Sequence, residues 1–583
     1  MTHTANPPAA TIRARVHDNA LRRVTKFFAS TLYEIFTETL QNARRADAAR
    51  VRVTVALAAR RPADCAPEPS ETPLTVTVTD DGTGIEDPAV LLSFGENGWS
   101  DDLVAREDAA GMGILSLAHR GCRIASRARS QDGHVGHGWS VNLLPEHFMG
   151  NSDAQVLHDD DDAPYPSGTA VQFQATVSAD MIRSAIASAA RHYPLPVTFE
   201  GETLERRAFL DGAVHAEDWN GLVFGVYRDR HRGYLDPDLN FFGLTVPVRL
   251  PTVETVHRGI WSVRADVVDC PDLELQLPAR REAVENAFLA DMREAGCLAV
   301  YRAMAADPDP CPAFADWTRA RAAGIELAPP PAVLRPWRPA IADVDDWREA
   351  PKPAPAGPDA LVMDCDPEPP EAQALWRAAE RAGLAERLFE TDRRLEGYPW
   401  YDRLDRVTGI DTEVTAADGK TWPLHEYPVP ERTGTTAAPP ATRPDAIRMA
   451  LAIETTRGRR LTLDLPADLA FAGEAWSWVC DALPLVTADS ALEPRRLAEL
   501  LHLGFFSADD DAEADSRETQ AVRFDEEALH IATRLLCSED SALETSIAET
   551  VRRELFWLVP QNRKVEISIT RPDVRVTLGD PAE

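Results

Sequence analysis

Glu38-Thr39-Leu40-Gln41-Asn42 decides the reading of this chain, because it is followed in order by Asp80-Asp81-Gly82-Thr83-Gly84 and by Gly111-Met112-Gly113. Each stretch alone is a weak signal, since short glycine and carboxylate patterns recur by chance and count only in the right structural context. That context is consistent here. Phe27, Phe28, Leu32, Ile35, Phe36 and Leu40 recur at three- and four-residue spacing, which predicts a helix from about residue 19 to 48. Glu38 and Asn42, four apart, share one face of it. Residues 51–55 and 74–78 alternate as strands, and the second runs directly into Asp80–Gly84.

Working outward, residues 114–120 read as a helix, and 122–129, 138–144 and 169–177 as strands. A helix followed by a sheet, with more helix between strands, predicts an α+β sandwich over 1–180 rather than alternating βαβ units. Strand patterns at 196–201, 242–246 and 261–268, with a helix over 282–305, predict a second α+β domain over 181–305. The proline-dense runs at 328–339 and 352–358 predict a semi-rigid linker over 306–360. A mixed α/β C-terminal region follows over 361–583, with a helix at 371–390 and a break near 428–444. Strands near Leu461 and over 565–569 flank a helical stretch over 525–559.

At 583 residues the chain is too long for one hydrophobic core, and its 44% hydrophobic content supports folded domains. The net charge of −33 disfavours unconditional binding to nucleic acid or an anionic membrane, which need clustered cations. Residues 1–61 run the other way, with eleven Lys or Arg against four Asp or Glu. Acidic runs stand at 159–162 and between Asp509 and Glu518. Solvated faces and loops account for all three. The eight cysteines show no Cys-x-x-Cys spacing and read as reduced thiols. The N-terminus has no apolar leader pattern and no run is long enough to span a bilayer, so a cytoplasmic protein without a membrane partner is expected.

The chemistry these residues offer is that of a phosphoanhydride. Its hydrolysis needs a group to orient water, a hard cation on the phosphate oxygens, and close donors for negative charge. Glu38 is suited to the water, and Asn42, one turn on, to supplying a carbonyl oxygen to Mg²⁺. Gly82, Gly84, Gly111 and Gly113 lack Cβ atoms and let the backbone approach a nucleotide closely. Asp80, at a strand end, is placed to accept from the exocyclic amine of adenine. The alternative for Glu38 and Asn42 is an ordinary surface pair, and for Asp80–Gly84 a plain turn. Several motifs in register argue against both, whereas Trp99 and Cys122 read as packing residues.

In order and spacing these motifs resemble the GHKL superfamily, which takes its name from gyrase, ninety-kilodalton heat-shock chaperones, histidine kinases and MutL. Glu38-x-x-x-Asn42 matches its first box, Asp80-x-Gly82-x-Gly84 its second, residues 111–116 its third, and Ser167-Gly168-Thr169 the Gly-Thr that closes the pocket. The resemblance implies an N-terminal GHKL (Bergerat-type) α/β sandwich that binds ATP through Asp80, Asn42, Gly82, Gly84, Gly111, Met112, Gly113 and Thr169. It also implies Mg²⁺ on Asn42, Glu38 serving the water, and a mobile lid over about 86–110. Glu38, where histidine kinases usually carry Asn, favours the hydrolase branch. Chaperone and MutL relatives follow with a ribosomal-S5-like domain that returns a basic residue to the γ-phosphate, for which the chain offers Arg280 or Arg281. Two positions depart from the family: Arg45 replaces a common Asp, and Asp108 the first glycine of the third box. The expected output is an ATPase whose lid closure drives association of two protomers and acts on a protein partner, chaperone-like. The alternatives are a clamp that binds DNA only in its ATP-bound state, and a non-hydrolysing nucleotide-dependent scaffold in a bacterial stress or defence system.

Overall fold

The computed structural model describes residues 31–57, 73–93, 99, 103, 113–130, 132–158, 161–229, 237–257, 259–276, 282–343, 349–428, 443–472, 483–509, 515–559, 563–570 and 572–581. The chain divides into two compact units, Met1–Pro329 and Pro330–Glu583.

The first unit opens with helix α1 (Leu32–Arg45), capped by Thr31, whose hydroxyl accepts the Glu34 N–H at 3.2 Å. Its Ile35, Phe36, Leu40 and Ala43 are buried, the stripe that the three- and four-residue spacing requires. Eight strands follow in one sheet: β1 (Val51–Leu57), β2 (Leu74–Asp80), β3 (Cys122–Arg129), β4 (Val135–Leu143), β5 (Val156–His158), β6 (Gly168–Ala175), β7 (Val197–Phe199) and β8 (Glu202–Thr203). Their order is β5-β4-β3-β6-β2-β1-β7-β8, antiparallel except where β1 meets β7. Helix α2 (Ala179–Ala190) packs beside α1, and one core runs from Ile35 to Leu204, past the position near 180 where the pattern changes. Residues 114–120 do not form the expected α-helix. They give a 3₁₀ turn over Gly113–Leu117, in which the Ser116 hydroxyl donates to the Gly113 carbonyl at 2.8 Å and competes with a regular ladder.

Within the same unit a six-stranded sheet is built from β9 (His215–Trp219), β10 (Leu222–Asp229), β11 (Leu239–Phe241), β12 (Leu244–Val246), β13 (Thr252–Thr255) and β14 (Gly259–Val267). Helix α3 (Ala287–Ala305) fills its core with Leu289, Met292, Val300 and Met304, and α4 (Phe314–Ala322) adds Ala320. The α+β pattern expected after residue 181 is therefore present.

The second unit holds β15 (Val333–Leu334) paired with β16 (Ala354–Pro355). A six-stranded sheet follows, of β17 (Leu361–Met363), β18 (Leu388–Glu390), β19 (Asp405–Thr415), β20 (Thr421–Pro423), β21 (Ala446–Glu454) and β22 (Arg460–Ala467). Helix α5 (Pro369–Arg381) connects β17 to its parallel neighbour β18. A pair, β23 (Leu469–Ala472) and β24 (Leu483–Val486), and helices α6 (Pro494–Phe505) and α7 (Arg517–Leu536) complete the core. The proline-rich segment read as a linker contributes Leu334 and Trp337 to buried positions. After α8 (Glu539–Glu554), β25 (Arg563–Thr570) and β26 (Asp573–Pro581) pair, among the described residues, only with each other. Their register sets Val565, Ile567 and Ile569 opposite Leu578, Val576 and Val574 on one face. Ile569, Val574, Val576 and Leu578 are exposed. Among the described residues no helix is long and apolar enough to cross a membrane.

Asp468, 1% exposed, is the most demanding polar group of the second unit. Arg377 bonds both its oxygens at 2.8 and 2.7 Å, and Arg381 and the Ser490 hydroxyl donate to it at 2.5 and 2.7 Å. Removing Arg377 leaves the buried carboxylate short of two donors, so Arg377→Ala is expected to cost about 3 kcal/mol. Denaturant unfolding followed by fluorescence checks it.

Candidate functional site

The end of α1 and the end of β2 meet backbone to backbone. The Thr83 N–H donates to the Ala46 carbonyl at 2.7 Å, and a Cβ on Gly82 would lie 2.6 Å from that same oxygen. Asp81 reinforces the junction, its Oδ1 accepting the N–H groups of Ala49 and Arg50 at 2.8 and 3.0 Å. Gly84, at φ +72°, lies against the Arg127 carbonyl, and Gly168, at φ +130°, against that of Asp80. Both conformations favour glycine. The 3₁₀ turn reaches α1 itself, since a Cβ on Gly113 would stand 2.5 Å from Glu38 Oε2. Four stretches separated by up to 130 residues thus converge around Glu38, Asp80 and Thr169.

Asp80 is partly buried, and its Oδ1 accepts the Gly82 N–H at 2.9 Å. Burial pushes its carboxyl up to about 6, against the pull of N–H groups from Gly82 and Thr169. The folded chain therefore holds this proton more tightly than the unfolded one. The carboxyl's contribution to stability falls as pH rises from its ordinary range through about 6 and is constant above that. Thr169, opposite Ser126 in the β3–β6 register, brings its hydroxyl within 3.1 Å of Ser126 Oγ. Ser126, fully buried, accepts the Ile85 N–H at 2.8 Å and donates to the Gly168 carbonyl at 3.0 Å. Ser167 donates to the Gly82 carbonyl at 2.9 Å.

Asn42 lies one turn beyond Glu38, and Arg45 Nη1 stands 3.5 Å from its Oδ1. No group of three or more His, Cys, Asp or Glu suited to a metal occurs among the described residues. A cation here would thus depend on a carboxamide oxygen and on the ligand's own oxygens, a donor set that suits Mg²⁺.

Of the expected site residues, the fold sets Gly113 against Glu38, with Asn42 one turn further along α1, gathers Gly82 and Thr169 at Asp80, and lays Gly84 against β3. Gly111, Met112, Asp108, Arg280 and Arg281 lie outside the described residues, as does most of 86–110. Sequence reasoning missed the supporting roles of Ser126, Ser167 and Asp81. A small hydroxyl residue in the middle of the strand 122–129 was the available signal for the first.

Comparison with protein-family profiles finds no match, and comparison with curated proteins finds none either. Among solved structures the chain is similar to the ATPase region of Saccharomyces cerevisiae topoisomerase II, at 13% identity and a TM-score of 0.28 over 43% of this chain and 76% of that one. It is also similar to the B-subunit of DNA gyrase from Myxococcus xanthus, at 13% identity and a TM-score of 0.29 over 48% of this chain and 93% of that one.

Two glycines separate structural from local demands. Gly168→Ala forces a left-handed conformation on a side chain that meets backbone, and is expected to destabilise the first unit by about 1–3 kcal/mol or more. Gly113→Ala meets only the end of the Glu38 side chain and is expected to cost less than about 1 kcal/mol. Parallel denaturant titrations measure both. By the same method Asp80→Asn, which removes a buried charge, is expected to raise the stability of the nucleotide-free protein at pH 7.

Proposed function

We propose that this chain binds ATP with Mg²⁺ and hydrolyses it. The observation that carries the reading is the convergence of the glycine stretches on one helix face and one strand end: the Gly113 backbone against the Glu38 carboxylate, and Gly82 and Gly168 around Asp80. In this reading adenine lies against Asp80, whose carboxylate accepts the exocyclic amine while the Thr169 hydroxyl holds a water beside the ring. Gly82 and Gly84 admit the nucleotide close to the backbone. The N–H groups of the stretch 111–113 face its phosphates. Asn42 holds the metal, which when bound neutralises phosphate charge. Glu38 orients the attacking water and takes its proton.

In keeping with this reading, the segment 86–110 acts as a lid, and Arg280 or Arg281 reaches the γ-phosphate from an S5-like second domain. Lid closure gates turnover, as such steps often do. It couples to association of two copies and to work on a protein partner, with the second unit as effector. Arg45 stands where relatives carry an acid and places positive charge beside Asn42. It therefore raises the metal concentration needed for turnover.

Phosphate release from Mg²⁺·ATP, with light scattering for mass, tests the reading. The wild type is expected to turn over. Glu38→Ala is expected to lose at least about a hundredfold of that rate, as removal of a general base does, while still binding ATP. Binding by both proteins without phosphate release would replace hydrolysis by a scaffold role, and no binding by either would overturn the site. A second prediction uses pH. Because Asp80 must be ionised to accept the amine, ADP affinity is expected to climb as pH rises through about 6 and to level off above it. Asp80→Asn, titrated by calorimetry over the same range, is expected to bind weakly and without that step.

A further inference from the structure

The flank of α1 next to Glu38 and Asn42 is tied to the second sheet. Gln41 stands one residue before Asn42, about 100° round the helix. It is 2% exposed, and its Nε2 donates to the carbonyls of Phe242 at 2.8 Å and Phe241 at 3.4 Å, two hundred residues away. One turn on, the Arg44 guanidinium lies 4.0 Å from the centre of the Phe242 ring. Tyr193, also buried, donates to the Leu40 carbonyl at 2.6 Å and lies against Gly243, where a Cβ would meet its Cα at 2.8 Å.

The receiving turn is stiff. Phe242 holds φ +53°, a conformation that a bulky side chain rarely adopts, and Gly243 follows at +99°. The Gly243 N–H donates to Asn240 Oδ1 at 2.8 Å, and Asn240 Nδ2 in turn donates to Asp266 Oδ1 at 2.7 Å on β14. The Phe242 carbonyl that Gln41 seeks is aimed by a network anchored in the second sheet. A strained backbone kept in place by surrounding bonds is the kind of feature retained where position matters.

We propose that Gln41 is a positioning residue. By bonding the 240–243 turn it sets the rotation of α1 about its axis, and so the placement of Glu38 and Asn42, which makes turnover depend on the second sheet. The proposal rests on the ATPase reading above and adds a separable consequence. Asp80 and Thr169 stand on strands of the first sheet and do not share this tie, whereas Glu38 and Asn42 stand on the tied helix. Loosening the tie therefore moves the catalytic groups and leaves the adenine groups in place. A displacement of about 1 Å at reacting groups is enough to cost a hundredfold in rate.

The test uses the full chain with Gln41→Leu, which keeps bulk and removes the donor, and Asn240→Ala, which frees the turn without touching α1. Both are expected to lower kcat by about 10- to 100-fold. The dissociation constant for ADP without Mg²⁺ is expected to stay within about threefold, and the double variant to be no worse than the poorer single one, as coupled sites behave. The strengthening of ADP binding by Mg²⁺, read by calorimetry, is expected to be lost in each, and this readout needs no turnover. If kcat and Mg²⁺-free ADP affinity fall together, or if Gln41→Leu keeps both kcat and the Mg²⁺ effect, the positioning role is overturned although the ATPase reading survives. If the wild type binds no ADP, the reading itself fails and the proposal with it.

Discussion

The end of α1 touches the end of β2 with no side chain between them, and the candidate site exists because of that contact. Thr83 bonds to Ala46, Gly82 leaves no room for a Cβ there, and Asp81 gathers the amides of Ala49 and Arg50 just before β1. A helix and a strand held this closely join the strand end that carries Asp80 to the C-terminal end of the helix that carries the Glu38 carboxyl and the Asn42 carboxamide. The hydroxyls of Ser126 and Ser167 extend the same economy to the neighbouring strand ends, satisfying backbone groups that the sheet leaves unpaired. The cost is a carboxyl in a place that disfavours its charge, the usual sign of a position kept for binding rather than for stability.

The first unit then works as two sheets around one helix. In the proposed reading the eight-stranded sheet holds the groups that meet adenine, and α1 those that meet the metal and the attacking water. The second sheet reaches α1 through the turn at Asn240–Gly243. The helix between the two sheets is bonded to both, at Ala46 and at Gln41.

Much of this was legible in the sequence. The helix at α1, strands β1, β2, β3 and β6, and the pairing of Glu38 with Asn42 all follow from periodicity, because one buried face dictates the spacing. Other features were not. The 3₁₀ turn at Gly113–Leu117 looked like an α-helix because Ile114, Leu115 and Leu117 fit either period over so short a run. Leu334 and Trp337 sit among prolines whose composition suggests an extended spacer, and only burial reveals that the segment packs. The first core continues through α2, β7 and β8 because β7 pairs in parallel with β1, a long-range contact that local pattern does not encode. Gln41 is the clearest case. A polar residue in a helix reads as solvent-facing, and nothing near it in sequence announces two acceptors two hundred residues away.

The last two strands, β25 and β26, carry a different consequence. They form a ribbon with one face of Val, Ile and Leu, whose outer edges pair with no other strand among the described residues, in a chain whose formal charge is −33. At low ionic strength that charge keeps copies of the chain apart. Raising salt to physiological levels shortens the reach of the repulsion to about 8 Å, which removes the long-range barrier to a second copy approaching an exposed apolar strand edge. A hairpin of fewer than twenty residues thus bears on the salt tolerance of a chain many times its length.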